Sequence, residues 1–156
     1  MNLLVFRFSS LGDVALVVPA LKSVLDTHPG VHITLVTRPF FFPLFEELPR
    51  LKLVALHTKA EHKGFLGLFR LFRQLSDQDK FDAIIDLHNV LRTKVLRLMF
   101  AMLGKRAFIY RKNRKGRAEL TAKSDKIRKE LTHTVEEYLN VFRKAGLEVS
   151  LSPPPW

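Results

Sequence analysis

Residues 3–25 read LLVFRFSSLGDVALVVPALKSVL, and a change of period inside this stretch sets the fold class. Asn2 to Phe8 is a short, β-rich apolar run broken only by Arg7, as a buried strand would be. From Asp13 the period becomes helical. Val14, Val17, Val18, Leu21 and Leu25 fall on one face, until His28-Pro29-Gly30 stops the helix. Between strand and helix lies a polar turn, Ser9-Ser10-Leu11-Gly12-Asp13.

The alternation continues along the chain. His32–Thr37 and Leu51–His57 read as strands, with an aromatic-rich helix or loop at Pro39–Leu48 between them. Gly64–Ser76 is an amphipathic helix on Phe65, Leu68, Phe69, Phe72 and Leu75. Ala83–Asp86 is a strand ending on a carboxylate. The pattern then predicts a helix over Val90–Leu103 with Leu91, Val95, Leu98, Met99 and Met102 inward, closed by Gly104. A fifth strand, Arg106–Tyr110, precedes a last helix from Thr134 with Val135, Tyr138, Leu139 and Phe142 inward. Strands alternating with helices imply an α/β fold with a parallel sheet flanked by helices. Ligands of such sheets bind outside the carboxyl ends of the strands, which here puts residues 8–13, 37–42, 86–92 and 110–117 on one rim. Phe40, Phe41 and Phe42 cannot all point inward from one element, so one or two of them should line the cleft or meet lipid.

At 156 residues the chain fits one domain, and 47% hydrophobic with 26% charged residues argues against disorder. Cysteine is absent, which excludes a disulfide scaffold, a thiol nucleophile and thiolate metal sites, and is compatible with a reducing cytosol. No segment reads as a targeting peptide, and no run approaches the roughly 20 apolar residues that span a bilayer. Net charge is +11, and Lys105 to Glu130 alone holds 11 Lys or Arg against 3 Asp or Glu. Such a field attracts anionic partners. Arg111, Lys112, Arg114, Lys115 and Arg117 beside Tyr110 would suit single-stranded nucleic acid, but no RNA-recognition, helix-turn-helix or OB signature accompanies them. A non-catalytic module binding anionic ligands such as nucleic acid is therefore the second reading.

The Ser9–Asp13 turn has one glycine, so it is neither a G-x-G-x-x-G dinucleotide turn nor a P-loop. Ser10 or Asp13 could cap the helix, and the helix dipole favours a carboxylate in the first turn. A carboxylate at a strand end could equally take a proton from an attacking hydroxyl. Asp86, His88, Asn89 and Arg92 cluster after the fourth strand. Asp86 and His88 are too few for a metal site, so a polar rim is expected, with Arg92 reaching a phosphate or carboxylate. His133, near the start of the last helix, suits a structural role better than a ligand contact.

The opening stretch resembles the N-terminus of glycosyltransferase family 9, the heptosyltransferases of lipopolysaccharide core synthesis. The resemblance rests on the apolar strand, Ser9, Ser10, Gly12 and Asp13 in the turn, and Pro19 in the helix. FDAIIDLHNVLRTKVL (residues 81–96) is similar to the family's strand, Asp-Leu-x-x-x-x-Arg turn and helix, and HTVEEYLNVF (133–142) to its helix before the domain crossover. The similarity implies a Rossmann-like domain, the N-terminal half of a type-B glycosyltransferase fold. It implies inverting, metal-free transfer of heptose from ADP-heptose to a lipid A–Kdo acceptor of the lipopolysaccharide inner core, with no cofactor beyond the nucleotide-sugar donor. Asp13 would be the base, Ser9, Ser10 and Gly12 would shape the turn, and Arg92, Arg111, Lys112, Arg114 and Arg117 would hold acidic acceptor groups. A cytoplasmic protein, peripheral on the inner membrane face, follows, with no nucleic-acid partner. Residues 1–150 then form the acceptor-side domain, and the proline run in 151–156 begins a stiff linker to a donor domain that these residues do not contain.

Overall fold

Five short apolar runs pair into one all-parallel sheet. The computed structural model describes residues 1–57, 61–111 and 134–152. Its strands are β1 (Asn2–Phe6), β2 (His32–Thr37), β3 (Leu51–Ala55), β4 (Ala83–Asp86) and β5 (Arg106–Ile109), in the order β3-β2-β1-β4-β5. The central strand pairs Leu4 with Thr34 on one side and with Ile84 on the other. A strand covered on both faces needs apolar side chains in both directions, which is why β1 reads as a continuous run and not an alternation. Leu3 and Val5 enter one core layer, and Leu4 and Phe6 enter the opposite one.

The first layer holds α1 (Leu11–Ala15), α2 (Val17–Thr27) and the last helix, α5 (Thr134–Lys144). The single helix expected from Asp13 is therefore two. The break falls at Leu16 because the Pro19 ring, which has no N–H, would clash with the carbonyl four residues back if the helix ran on. A 3₁₀ turn over Pro39–Phe45 buries Phe41 and Phe45 and leaves Phe40 exposed, so the three aromatics do not all point inward.

The second layer holds α3 (Gly64–Gln78) and α4 (Leu91–Met102), which pack together through an edge-on contact of Phe72 and Phe100 at 4.9 Å. Here the sequence reading needs correction. α4 buries Thr93, Leu96, Met99 and Phe100, while Leu91, Leu98 and Met102 face outward. α3 buries Leu68, Leu71, Phe72 and Leu75 but exposes Phe65 and Phe69. Both helices carry apolar residues on two arcs, so periodicity could not choose between them. Thr93 can enter the core because its hydroxyl donates to Val90 O (2.9 Å) and accepts from Val90 N (3.0 Å). The left-handed backbone of Gly104 (φ +73) and Gly146 (φ +94) follows α4 and α5, as a glycine C-cap should. No helix among the described residues is long and apolar enough to cross a membrane.

Candidate active site

The strand order reverses direction at β1, where the chain builds outward to β2 and β3, then crosses to β4 and β5. A crevice must open between the carboxyl ends of β1 and β4, since the connections leave them to opposite faces. A cavity of about 600 Å³ lies at this point, lined by Arg7, Ser9, Ser10, Asp13, His88, Asn89, Lys94, Tyr110 and Arg111. Three of the four rim segments thus meet there; Thr37–Phe42 is not in the lining.

Asp13 is the acidic residue of this lining. Its carboxylate is held by Arg7, whose Nη2 lies 2.5 Å from Asp13 Oδ2, and Ser10 Oγ donates to the same oxygen at 3.2 Å. The side chains are 6% and 30% exposed, so the cation is buried while the carboxylate reaches the cavity. Ser10 occupies the N-cap position but makes no side-chain cap bond, and the Asp13 carboxylate is taken up by Arg7. The capping role that spacing allows is therefore not what fixes Asp13, and a five-residue α1 offers little dipole.

Arg7 is the functional residue the sequence reading passed over. Beyond Asp13 it donates through Nη1 to Leu87 O (2.5 Å), tying the β4 exit to the β1 exit, and its guanidinium sits over the Tyr138 ring at 5.9 Å. The Tyr138 hydroxyl in turn donates to Asp13 O at 3.4 Å. A single arginine inside an otherwise apolar strand was the available signal: no isolated cation is buried there without a partner.

The β4 exit is organised by Asp86, which is wholly buried. Its Oδ1 accepts from the backbone N–H groups of His88 (3.0 Å) and Asn89 (2.8 Å), and Oδ2 pairs with Arg97 Nε at 3.3 Å. Asp86 thus shapes the turn from within, allowing Asn89 its left-handed backbone (φ 53), and does not join the polar rim. His88 faces Ser9 Oγ through Nε2 at 3.4 Å and packs edge-on against Phe8. Burial first, then the neighbouring Arg7 charge, pushes its pKa down to about 4, against the smaller opposing pull of Asp86 and Asp13. His88 is consequently a neutral hydrogen-bonding group at pH 7.

Of the remaining sequence candidates, Ser9 and Ser10 line the cavity beside Asp13, as does Arg111. Gly12 follows Leu11 with open space around it: an added Cβ would meet nothing within 4 Å. Arg92 is exposed and outside the cavity lining; Lys94, two residues on, takes the place expected for it. Lys112, Arg114, Lys115, Arg117 and His133 lie outside the described residues. No group of three His, Asp or Glu positioned to hold a metal ion occurs among the described residues. One carboxylate facing a cavity whose other charges are Arg7, Lys94 and Arg111 is suited to accept a proton from an anionic substrate's hydroxyl.

No protein-family model and no curated protein sequence matches the chain. Solved structures do. The glycosyl transferase family 9 protein of Veillonella parvula superposes with a TM-score of 0.68 at 23% identity, over 94% of this chain and 42% of that one. The chain shares its fold with glycosyl transferase family 9. E. coli heptosyltransferase WaaC, solved with ADP, gives 0.65 at 19% identity over 99% and 50% of the two chains. E. coli ADP-heptose lps heptosyltransferase II gives 0.60 at 15%, over 90% and 40%. The chain thus spans half or less of the length of these enzymes. The Rossmann-like parallel sheet implied by the resemblance is observed, and it superposes on one half of these enzymes.

Proposed function

We propose that this chain is the acceptor-binding half of an inverting glycosyltransferase, with Asp13 as general base. The observation that carries the reading is the one-third-exposed Asp13 carboxylate, aimed by buried Arg7 into a cationic cavity at the switch point of the sheet. In the reaction, an acceptor hydroxyl attacks the anomeric carbon, its proton passes to Asp13, and the bond from that carbon to the nucleotide phosphate breaks with inversion. Lys94 and Arg111 hold acidic groups of the acceptor across the cavity. The fold likeness to heptosyltransferases, one of them solved with ADP, supports heptose from ADP-heptose as the transferred unit and a Kdo-bearing lipid A of the lipopolysaccharide inner core as acceptor. We assign the nucleotide sugar to a second domain, and place the reaction on the cytoplasmic face of the inner membrane.

The test joins this chain to a donor-side domain and follows heptose transfer from ADP-heptose to Kdo-lipid A. Asp13→Asn should lower kcat by about 10²–10⁴ while acceptor affinity changes little, the usual contribution of a general base. Transfer at the parent rate would overturn the assignment. Acceptor binding to Lys94→Gln and Arg111→Gln should weaken and lose salt dependence.

A further inference from the structure

We infer that the outer face of α3 and α4 is a docking surface for an anionic lipid bilayer. At about 100° per residue, the buried positions of α3 lie on one side of the helix, and Leu66, Phe69, Arg70 and Arg73 share the outward arc. An outward arc of a soluble helix is ordinarily polar; here Leu66 is 72% and Phe69 43% exposed. α4 repeats the arrangement. Leu91, Leu98 and Met102 are 77%, 66% and 74% exposed and fall within a narrow arc, with Lys94 at its edge. The two helices pack against each other in one layer, so both arcs face away from the sheet together.

Charge selects the occupant. Apart from Arg97, which turns inward onto buried Asp86, α3 and α4 carry four Arg or Lys and a single acid, Asp77, which Arg73 pairs at 3.7 Å. Bulky apolar side chains interleaved with cations suit the boundary between acyl chains and anionic headgroups: the apolar groups leave water while each cation meets a negative surface potential. Orientation fits the same partner. In this parallel sheet the N-terminal ends of α3 and α4 lie at the carboxyl rim, the end of the sheet at which Lys94 lines the cavity. A docked chain would hold its cavity at the surface where a lipid-linked acceptor resides. The choice of a bilayer rests in part on the glycolipid acceptor proposed above, but its test needs no acceptor.

The 156-residue chain is titrated with phosphatidylcholine vesicles with and without phosphatidylglycerol, binding being read by co-flotation. Binding to the anionic vesicles that weakens with salt is expected, with a loss of at least ~10-fold in Leu91→Asp/Leu98→Asp/Met102→Asp. Arg70→Glu/Arg73→Glu should lose a similar factor on anionic vesicles only. Circular dichroism and elution volume of both variants should match the parent, because every altered side chain is exposed. Unchanged binding of the triple variant overturns the inference. So does a parent that ignores vesicles but forms a dimer that the triple variant abolishes, since a second copy would then cover the face. Vesicle binding by a chain that transfers no heptose once joined to a donor-side domain would sink the acceptor reading alone.

Discussion

Replacing Arg7 tests whether the site geometry is held by one buried ion pair. Arg7→Met keeps the length of the aliphatic stem but leaves Asp13 without its cation, the Leu87 carbonyl without its donor, and the Tyr138 face without its guanidinium. Breaking a fully buried pair costs about 3–5 kcal/mol. The Asp13 side chain is 30% exposed and can rehydrate, so the ion-pair share falls to roughly 2 kcal/mol after screening. The carbonyl and ring contacts add about 1 kcal/mol between them, giving ~3 kcal/mol for Arg7→Met. Asp13→Asn strands a buried cation and should cost about 2 kcal/mol. The double variant removes both charges, so its loss should fall short of the sum by about 1.5–2 kcal/mol. Urea unfolding of the four proteins at pH 7 and low salt measures this coupling. Additivity within about 0.5 kcal/mol would show that the two charges do not meet and that Asp13 is not held by Arg7. A further consequence is that loss of activity in Asp13→Asn must be read at matched fractions of folded protein.

Because His88 has a depressed pKa when folded, the unfolded chain binds its proton more tightly, and stability attributable to His88 is complete above pH 6.5 and is lost as pH falls toward 4. His88→Gln should flatten the urea midpoint against pH across that window, whereas an imidazole titrating near 6.5 by NMR would contradict the burial argument. Gly67→Ala places a Cβ 2.4 Å from the His62 carbonyl carbon and 2.8 Å from Glu61 O, backbone atoms that cannot swing aside. α3 must then shift, and thermal unfolding should report a loss of about 1–3 kcal/mol; a neutral result would mean the 61–63 turn sits farther from the helix. Asp86→Ala leaves Arg97 unpaired and two backbone N–H groups without an acceptor. A loss of about 3–5 kcal/mol is expected from chemical denaturation, and a loss below ~1 kcal/mol would show that the turn does not depend on Asp86.

What the sequence determined by itself is whatever depends on neighbours along the chain. Strand and helix periods, the breakers at His28-Pro29-Gly30 and Gly104, and the polar turn after β1 are local patterns, and from them the parallel α/β class and the position of Asp13 at a strand end follow. Pro19 was visible too, although its effect in splitting the first helix was not drawn. What only the tertiary structure decided are the contacts between distant residues. Nothing local says that Arg7 meets Asp13 and the carbonyl of Leu87, or that Tyr138, far along the chain, lies beneath them. Asp86 and Asp13 both end strands, yet one is turned inward onto Arg97 and the other opens on a cavity. α4 gave the wrong face for the same reason. With apolar residues on both arcs its own period is indifferent, and the sheet chose Leu96, Met99 and Phe100, leaving Leu91, Leu98 and Met102 for a partner outside the domain.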